Sequence, residues 1–168
     1  TEIWPGTVLK GKTVIGSGCV IGKDTIIEDS IIGDGTDILK SVIKSSRVGA
    51  GTHVGPFAYM RPGSVVGKDC KVGDFVEIKN AVFGDGSKAS HLAYIGDADV
   101  GENVNVGCGV VFANYDGVHK FRTTVGDRAF IGSNSNLVAP VTVDDDAYIA
   151  AGTTVTVTVP EGALCVGR

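Results

Sequence analysis

A hydrophobic residue recurs every five or six positions along almost the whole chain, and no other feature constrains the fold as strongly. A period of six fits neither the 3.6-residue turn of an α-helix nor the alternation of a hairpin array. It predicts a short strand plus a corner, repeated so that three units close a triangular coil of about 18 residues with the hydrophobic side chains inside. The recurring positions are Ile3, Leu9, Ile15, Ile21, Ile27, Ile32, Ile38, Ile43, Val48, Val54, Met60, Val66, Val72, Ile78, Phe83, Ala89, Ile95, Val100, Val106, Phe112, Val125, Ile131, Leu137, Val143, Ile149 and Val155.

The residues around each hydrophobic position keep the same step. A glycine often follows it, and the residue two before it is small or β-branched. The 25 glycines among 168 residues are scattered, which indicates many tight turns between short strands. We expect these glycines to supply the backbone conformation that a corner needs. The sequence therefore predicts one all-β domain over residues 1–168, a hexapeptide-repeat parallel β-helix of about nine coils whose handedness the repeat leaves open.

Composition and charge exclude several classes of protein. The net charge is −4 with acidic and basic residues interspersed, which argues against a nucleic-acid-binding face. Apolar runs are short and the opening TEIWPG shows no signal region, so we expect a cytoplasmic protein without a membrane partner. Cys19 and Cys70 take the same corner position on coils roughly 14 Å apart, too far for a disulfide. With Cys108 and Cys165 they are expected to be reduced, packed cysteines.

Arg61 and Lys79 fall at the same place on adjacent coils. The steps from Met60 to Ile78 are regular, so the two backbones are predicted to lie about 5 Å apart. Like charges in register on neighbouring strands cost roughly 1–3 kcal/mol, depending on the effective dielectric. Either the two side chains point apart into solvent, or together they form a cationic binding site for a dianion such as a phosphate.

More candidate chemistry lies on the same face. Tyr59, Glu77 and Tyr94 each precede a hydrophobic position on successive coils, and His91 is close by. A carboxylate, an imidazole and two cations within two coils predict an acid–base site, although an isolated histidine is weak evidence.

The repeat is interrupted once, over residues 113–124, where the sequence reads ANYDGVHKFRTT. A loop extruded from a regular solenoid is often functional, although it can also be a tolerated insertion. Its charged and aromatic residues favour contact with a ligand or a neighbour. They are Asn114, Tyr115, His119, Lys120 and Arg122.

Several strings resemble one enzyme family along the whole chain. YMRPGS, GDFVEIKNA, GSKASHLAYIGDA, GENVNVGCG, NYDGVHK, LVAPVTV and PEGALCVGR resemble the acetyltransferase half of the bifunctional uridyltransferase/acetyltransferases of bacterial UDP-N-acetylglucosamine synthesis. The resemblance implies a left-handed parallel β-helix that assembles as a homotrimer with shared active sites. It implies transfer of the acetyl group of acetyl-CoA to the amine of glucosamine-1-phosphate, for cell-wall precursor synthesis, with no metal required. The family's N-terminal nucleotidyltransferase domain has no counterpart in these 168 residues.

The resemblance also assigns roles by position. His91 would be the general base on the sugar amine, oriented by Glu77, and Asn114 would complete the catalytic group. Residues expected to bind the sugar phosphate are Arg61, Lys79 and Lys120 at the phosphate, with Tyr94, Asn105, Asn114 and Tyr115 around the sugar. Residues expected to bind the coenzyme are Cys108, through its backbone N–H at the thioester oxygen, and Ser133, Ala151 and Arg168.

Other functions of the same solenoid remain open at this point. One alternative is an acyltransferase with another amine acceptor, and another is a non-catalytic solenoid that binds sugar phosphates and releases no coenzyme A thiol. A zinc-dependent carbonic anhydrase is disfavoured because His53, His91 and His119 lack the close pair that such a site uses. For the mechanism, direct transfer is favoured over an acyl intermediate on Cys108.

Overall fold

The computed structural model describes residues 1–167, and in this range the chain forms 25 strands, all but two of them short, and no helix. Arg168, one of the predicted coenzyme-binding residues, lies outside the described residues. The strands, in chain order, are β1 Glu2–Ile3, β2 Val8–Lys10, β3 Val14–Ile15, β4 Val20–Ile21, β5 Ile26–Glu28, β6 Ile31–Ile32, β7 Asp37–Ile38, β8 Val42–Lys44, β9 Arg47–Val48, β10 His53–Val54, β11 Tyr59–Met60, β12 Val65–Val66, β13 Lys71–Lys79, β14 Val82–Phe83, β15 Lys88–Gly96, β16 Ala98–Val100, β17 Asn105–Val106, β18 Val111–Ala113, β19 Thr123–Val125, β20 Phe130–Ile131, β21 Asn136–Val138, β22 Val141–Val143, β23 Tyr148–Ile149, β24 Thr154–Val155 and β25 Leu164–Cys165.

The strands form three faces of a left-handed parallel β-helix of about 10 turns. The hexapeptide repeat predicts the parallel β-helix, and the family resemblance implies its hand. Each strand pairs in parallel with the equivalent strands of the coils before and after it. Face 1 contains β1, β4, β7, β10, β17, β20, β23, β25 and the first halves of β13 and β15. Face 2 contains β2, β5, β8, β11, β18, β21, β24 and the second halves of β13 and β15. Face 3 contains β3, β6, β9, β12, β14, β16, β19 and β22.

The predicted hydrophobic ladder fills the interior. From Ile21 to Val155 each of its side chains is at most 3% exposed. Ile3 and Leu9, on the first coil, are 53% and 41% exposed because only one neighbouring coil covers them. The ladder also continues beyond the predicted last position. Val159 bridges to Val143 and Cys165 pairs with Ile149, which is why about 10 turns are found where about nine were expected.

Most of the glycines that follow a hydrophobic position, although not Gly55 with its φ of +104°, are needed for a different reason from the one expected. Gly67 does not adopt a positive φ, but a Cβ added there would lie 2.7 Å from the backbone nitrogen of Asp85 on the next coil. Close approach of neighbouring coils, and not an unusual backbone conformation, therefore selects glycine at this position. Left-handed φ values occur at other corner positions, such as Gly18, and also at non-glycine residues such as Asp97.

The four cysteines form no disulfide in the structure. Cys19 and Cys70 are buried as predicted, and burial raises the pKa of the Cys70 thiol. Cys165 is half-buried, but Cys108 is exposed, so the prediction of packing is wrong for Cys108. Within residues 1–167 no helix is long and apolar enough to cross a membrane.

Candidate active site

Two long strands position the first group of candidate residues. β13 and β15 continue from face 1 around a corner onto face 2, and they stay in register on both sides of it. This corner, the 1–2 edge, carries Asp74 and His91 at paired positions on adjacent coils. Three residues further along, Glu77 pairs with Tyr94 on face 2. Backbone hydrogen bonds on both faces therefore fix the edge where the histidine lies.

His91 contacts a carboxylate, but not the predicted one. Its Nδ1 lies 2.8 Å from Oδ1 of Asp74, and the two side chains are 59% and 40% exposed. The hydrogen bond from His91 lowers the pKa of Asp74. Because a carboxylate only accepts, Nδ1 carries the hydrogen and Nε2 of the neutral ring keeps its lone pair. The prediction that Glu77 orients His91 is wrong, because Glu77 binds Arg61 instead.

The predicted cation pair lies in register, and each cation already contacts an acidic side chain. Tyr59 pairs with Glu77, which places Arg61 beside Lys79 on face 2. Arg61 Nη1 lies 2.9 Å from Glu77 Oε1, and this hydrogen bond raises the pKa of Arg61. Lys79 Nζ lies 3.2 Å from Asp97 Oδ2. The repulsion expected between the two cations is thus offset by two carboxylates.

The corner between faces 2 and 3, the 2–3 edge, carries a stack of polar side chains. Asn80, Asp97 and Asn114 follow one another on successive coils, and both amides donate through Nδ2 to Asp97, from Asn80 at 2.8 Å. Asn114 Nδ2 is also 3.4 Å from the hydroxyl of Tyr94. Burial raises the pKa of Asp97, but the hydrogen bonds from Asn80, Asn114 and Lys79 together lower it below its ordinary value.

Three of the four predicted coenzyme residues line up along the 1–2 edge. The register continues from His91 through Cys108 and Ser133 to Ala151 on successive coils. On the corner between faces 3 and 1, the equivalent position carries an aspartate such as Asp85, which accepts a hydrogen bond from the backbone N–H of Lys68 on the preceding coil. Here no aspartate does so, and within residues 1–167 the N–H of Cys108 has no acceptor. An uncapped backbone donor thus lies one coil from the histidine.

The surface of the 1–2 edge changes abruptly beside this column. The aromatic rings of Phe57 and Phe75 stack with centroids 5.5 Å apart, and the exposed Leu92 follows them. On the next coil the position equivalent to Leu92 is occupied by Gly109, and two coils further on it is occupied by Gly152. A shallow depression of about 360 Å³ begins at this step and crosses face 2. Its lining residues are Phe75, Glu77, Leu92, Ala93, Tyr94, Gly109, Val110 and Val111.

The extruded segment connects β18 to β19 and is fixed at its end by Arg122. The guanidinium donates to both carboxylate oxygens of Asp99 at 3.0 and 2.7 Å and to two backbone carbonyls of the solenoid. Arg122 therefore anchors the loop. Tyr115 is 58% exposed and donates to the carbonyl of Gly117, and it forms an isolated bridge with the exposed Lys120.

Not all predicted site residues meet within one chain. Asn105 lies on face 1, whereas Tyr94 lies on face 2. In the described part of the chain no hydrogen bond or ion pair joins Lys120 to Arg61 or Lys79. Sequence reasoning missed two acidic residues that contact predicted site residues, namely Asp74 and Asp97, each 17 positions before its partner His91 or Asn114. Among residues 1–167 no cluster of His, Cys, Asp or Glu side chains is arranged to bind a metal ion.

The chain matches known proteins over its whole length. Residues 1–83 match the family described as the GMPPB C-terminal domain, and residues 122–156 match the bacterial transferase hexapeptide (six repeats). The bifunctional protein GlmU of Clostridioides difficile (strain 630) is 61% identical over 168 residues, which is 100% of this chain and 37% of that protein. The chain is homologous to the C-terminal part of GlmU. GlmU of Alkaliphilus oremlandii (strain OhILAs) is also 61% identical with the same coverage. The chain thus spans little more than a third of the GlmU proteins that it matches.

Solved structures support the same fold. A mutant of perosamine N-acetyltransferase from Caulobacter crescentus, in complex with CoA and GDP-perosamine, is 25% identical with a TM-score of 0.60 over 71% of this chain and 53% of its own. LpxA, a UDP-N-acetylglucosamine acyltransferase from Bacteroides fragilis 9343, is 17% identical with a TM-score of 0.64 over 99% of this chain and 69% of its own. At that identity LpxA supports the fold alone.

Proposed function

We propose that this chain transfers the acetyl group of acetyl-CoA to the amine of glucosamine-1-phosphate, and that residues 1–168 form one acetyltransferase domain acting in the cytoplasm. The observation that carries the proposal is the Asp74–His91 pair, which begins the column of Cys108, Ser133 and Ala151 on the 1–2 edge. A base, an uncapped backbone donor and a face with two cations are the groups that this reaction needs.

His91 is the general base of the proposed reaction. Its Nε2 lone pair takes a proton from the sugar ammonium, which frees the nitrogen to attack. Asp74 stabilises the resulting imidazolium. Acetyl-CoA supplies the activated acetyl group: a C–N bond forms, the C–S bond breaks, the nitrogen gives its second proton to the leaving thiolate, and the proton taken up by His91 passes to solvent. The free N–H of Cys108 is suited to stabilise the developing oxyanion.

Arg61 and Lys79 would hold the phosphate. The Arg61–Glu77 ion pair has both side chains 39% exposed, so it contributes little to stability and can exchange for a phosphate. A phosphate offers a denser charge than a carboxylate and suits the planar donor fork of arginine. Tyr94 and Asn114 would contact the sugar from the same face.

The 1–2 edge fits an elongated coenzyme. Cys108, Ser133 and Ala151 are small, and the bulky Phe57, Phe75 and Leu92 of the preceding coils give way to Gly109 and Gly152 alongside them. The CoA-bound perosamine N-acetyltransferase shares this fold at 25% identity, which supports a CoA-type donor here. Arg168 would extend this set.

A homotrimer would complete the site. Asn105 lies on a different face from Tyr94, and the exposed residues Tyr115 and Lys120 project from the extruded loop. We therefore infer that these three residues contribute to a site on a second copy of the chain, where Lys120 would add a third cation at the phosphate. Family resemblance supports three copies and not two.

Thiol release tests the proposed function. With acetyl-CoA and glucosamine-1-phosphate the purified chain should release coenzyme A thiol and form N-acetylglucosamine-1-phosphate, measured by a thiol reagent and mass spectrometry. Glucosamine without phosphate should show a much higher KM because Arg61 and Lys79 have no anion to bind. Equal use of both sugars would favour another amine acceptor. Binding of the sugar phosphate without thiol release would favour a non-catalytic solenoid.

Asp74→Asn should lower kcat by at least about tenfold, a part of the 10²–10⁴-fold contribution of a general base. The amide can present N–H to Nδ1, which moves the ring hydrogen to Nε2 and removes the lone pair that the reaction uses. KM for glucosamine-1-phosphate should change little, because Asp74 does not lie among the cations. Steady-state kinetics would show this split, and Glu77→Gln, which frees Arg61 from its ion pair with a competing carboxylate, should mainly lower that KM. An unchanged kcat in Asp74→Asn would remove Asp74 from the mechanism.

A further inference from the structure

The buried carboxylate of Asp97 has no role in the reaction as described so far. Asp97 is only 6% exposed, and it lies between Asn80 and Asn114 in the polar stack on the 2–3 edge. We propose that Asp97 is a positioning residue, whose carboxylate holds the Asn114 carboxamide with its oxygen toward the substrate and holds the Lys79 amine beside it. This inference rests on the proposed acetyl transfer to an amine.

The stack determines which atoms of the two amides face Asp97. A carboxylate with a lowered pKa is ionised near neutral pH and only accepts hydrogen bonds. The amides above and below it must therefore present their NH2 groups, as Asn80 does at 2.8 Å from Oδ1 and Asn114 does at Oδ2. Reversing either amide would place two oxygen atoms in contact at a buried position.

The same constraint fixes the free atom of Asn114. Its Nδ2 faces Asp97 and, at 3.4 Å, the hydroxyl of Tyr94, so both amide hydrogens have acceptors. Within residues 1–167 the Oδ1 atom of Asn114 has no hydrogen-bond partner. It is nevertheless not among the buried side-chain atoms that lack a partner in this range, which are Oγ1 of Thr25 and Oγ1 of Thr123. Oδ1 therefore reaches solvent although the residue is 7% exposed. Asn114 offers a substrate an acceptor, which suits an N–H of the sugar amine and does not suit an oxyanion.

Asp97 also fixes Lys79. The amine lies 3.2 and 3.4 Å from the two carboxylate oxygens, and the lysine side chain is only 18% exposed. Its remaining N–H groups stay available to a phosphate. One carboxylate thus sets the positions of the group facing the amine and of a group facing the phosphate.

Asp29 provides a matched control. It holds the same 2–3 edge on an earlier coil, with a φ of 47° against 48° for Asp97. Its Oδ1 accepts from the backbone N–H of Lys12 at 2.9 Å, and no amide stack surrounds it. Asp29→Asn therefore makes the same chemical change at a similar corner outside the site.

The closing experiment compares Asp97→Asn, Asn114→Asp, the exchange variant that carries both, and Asp29→Asn. Asp97→Asn and Asn114→Asp should each lower kcat by about tenfold to a hundredfold, the range for a misplaced catalytic-site group. In the exchange variant the amide at position 97 donates an N–H to the carboxylate at position 114, and that carboxylate keeps an oxygen facing the substrate. Its kcat should therefore be about tenfold higher than that of Asn114→Asp alone. Asp29→Asn should match the wild type. A purely structural role would lower the melting temperature without this recovery in kcat.

The proposal is wrong if Asp97→Asn keeps the kcat of Asp29→Asn, or if the exchange variant is no more active than Asn114→Asp. A second readout does not need activity or a folded variant: side-chain amide NMR of the wild type should show slowly exchanging NH2 groups for Asn80 and Asn114. Rapid exchange at Asn114 would overturn the inference even with full activity. Slow exchange with no thiol release from the wild type would instead remove the proposed function and leave the stack intact.

Discussion

His91→Ala should lower kcat with glucosamine-1-phosphate by about 10²–10⁴-fold, the contribution expected of a general base. The side chain is 59% exposed and contacts Asp74 at the surface, so its removal leaves no cavity in the core. The oligomeric state and the melting temperature should therefore stay unchanged. Steady-state kinetics, light scattering and thermal unfolding measure the three quantities.

The pH dependence provides a second test of the same role. A base must be neutral to accept a proton, so wild-type kcat should have an acidic limb that depends on His91. His91→Ala should lose this limb. His53→Ala is the matched control, because His53 is also exposed and lies 3.4 Å from Asp37 on face 1, away from the 1–2 edge. A kcat for His91→Ala close to that of His53→Ala would exclude His91 as the base.

The repeat made most of the fold predictable. One buried hydrophobic side chain per face is a strong signal, and it placed Tyr59, Glu77 and Tyr94 in one row and Arg61 beside Lys79. The signal weakened where the spacing changed. After Val155 the next interior residue comes four positions later, and the last turn was therefore missed.

The partners of charged side chains were less predictable than their rows. From the sequence Glu77 was equally near to His91 and to Arg61, and only the direction of each side chain decides that Glu77 binds Arg61. Asp74 and Asp97 each contact a residue 17 positions later. Coil length varies along the chain, so a spacing of 17 has no meaning until the register of that coil is known. The contacts of Asp74 with His91 and of Asp97 with Asn114 became visible only in the structure.

The glycines show the same limit of sequence reasoning. Their spacing predicted corners, but a glycine that accommodates a left-handed φ and one that allows close approach are identical in sequence. Gly117 in the extruded loop is of the first kind, with a φ of +102° and open space around it. Gly73, which precedes Asp74 in β13, is of the second kind.

Gly73→Ala should both destabilise the solenoid and reduce activity. An added Cβ would collide with the carbonyl group of Ser90, with its carbon 2.6 Å away, and both partners are backbone atoms that no rotamer change can move. β13 and β15 are paired on both sides of this point, so the clash must separate the coils that carry Asp74 and His91. Overpacking of this kind costs roughly 1–3 kcal/mol, which corresponds to a fall in melting temperature of about 2–12 °C. A shift of about 1 Å at His91 would lower kcat by about a hundredfold.

Gly117→Ala adds only backbone strain in an exposed loop, so its melting temperature should remain close to that of the wild type. If Gly73→Ala melted and turned over like Gly117→Ala, close packing of these two coils would not be what holds the histidine in place.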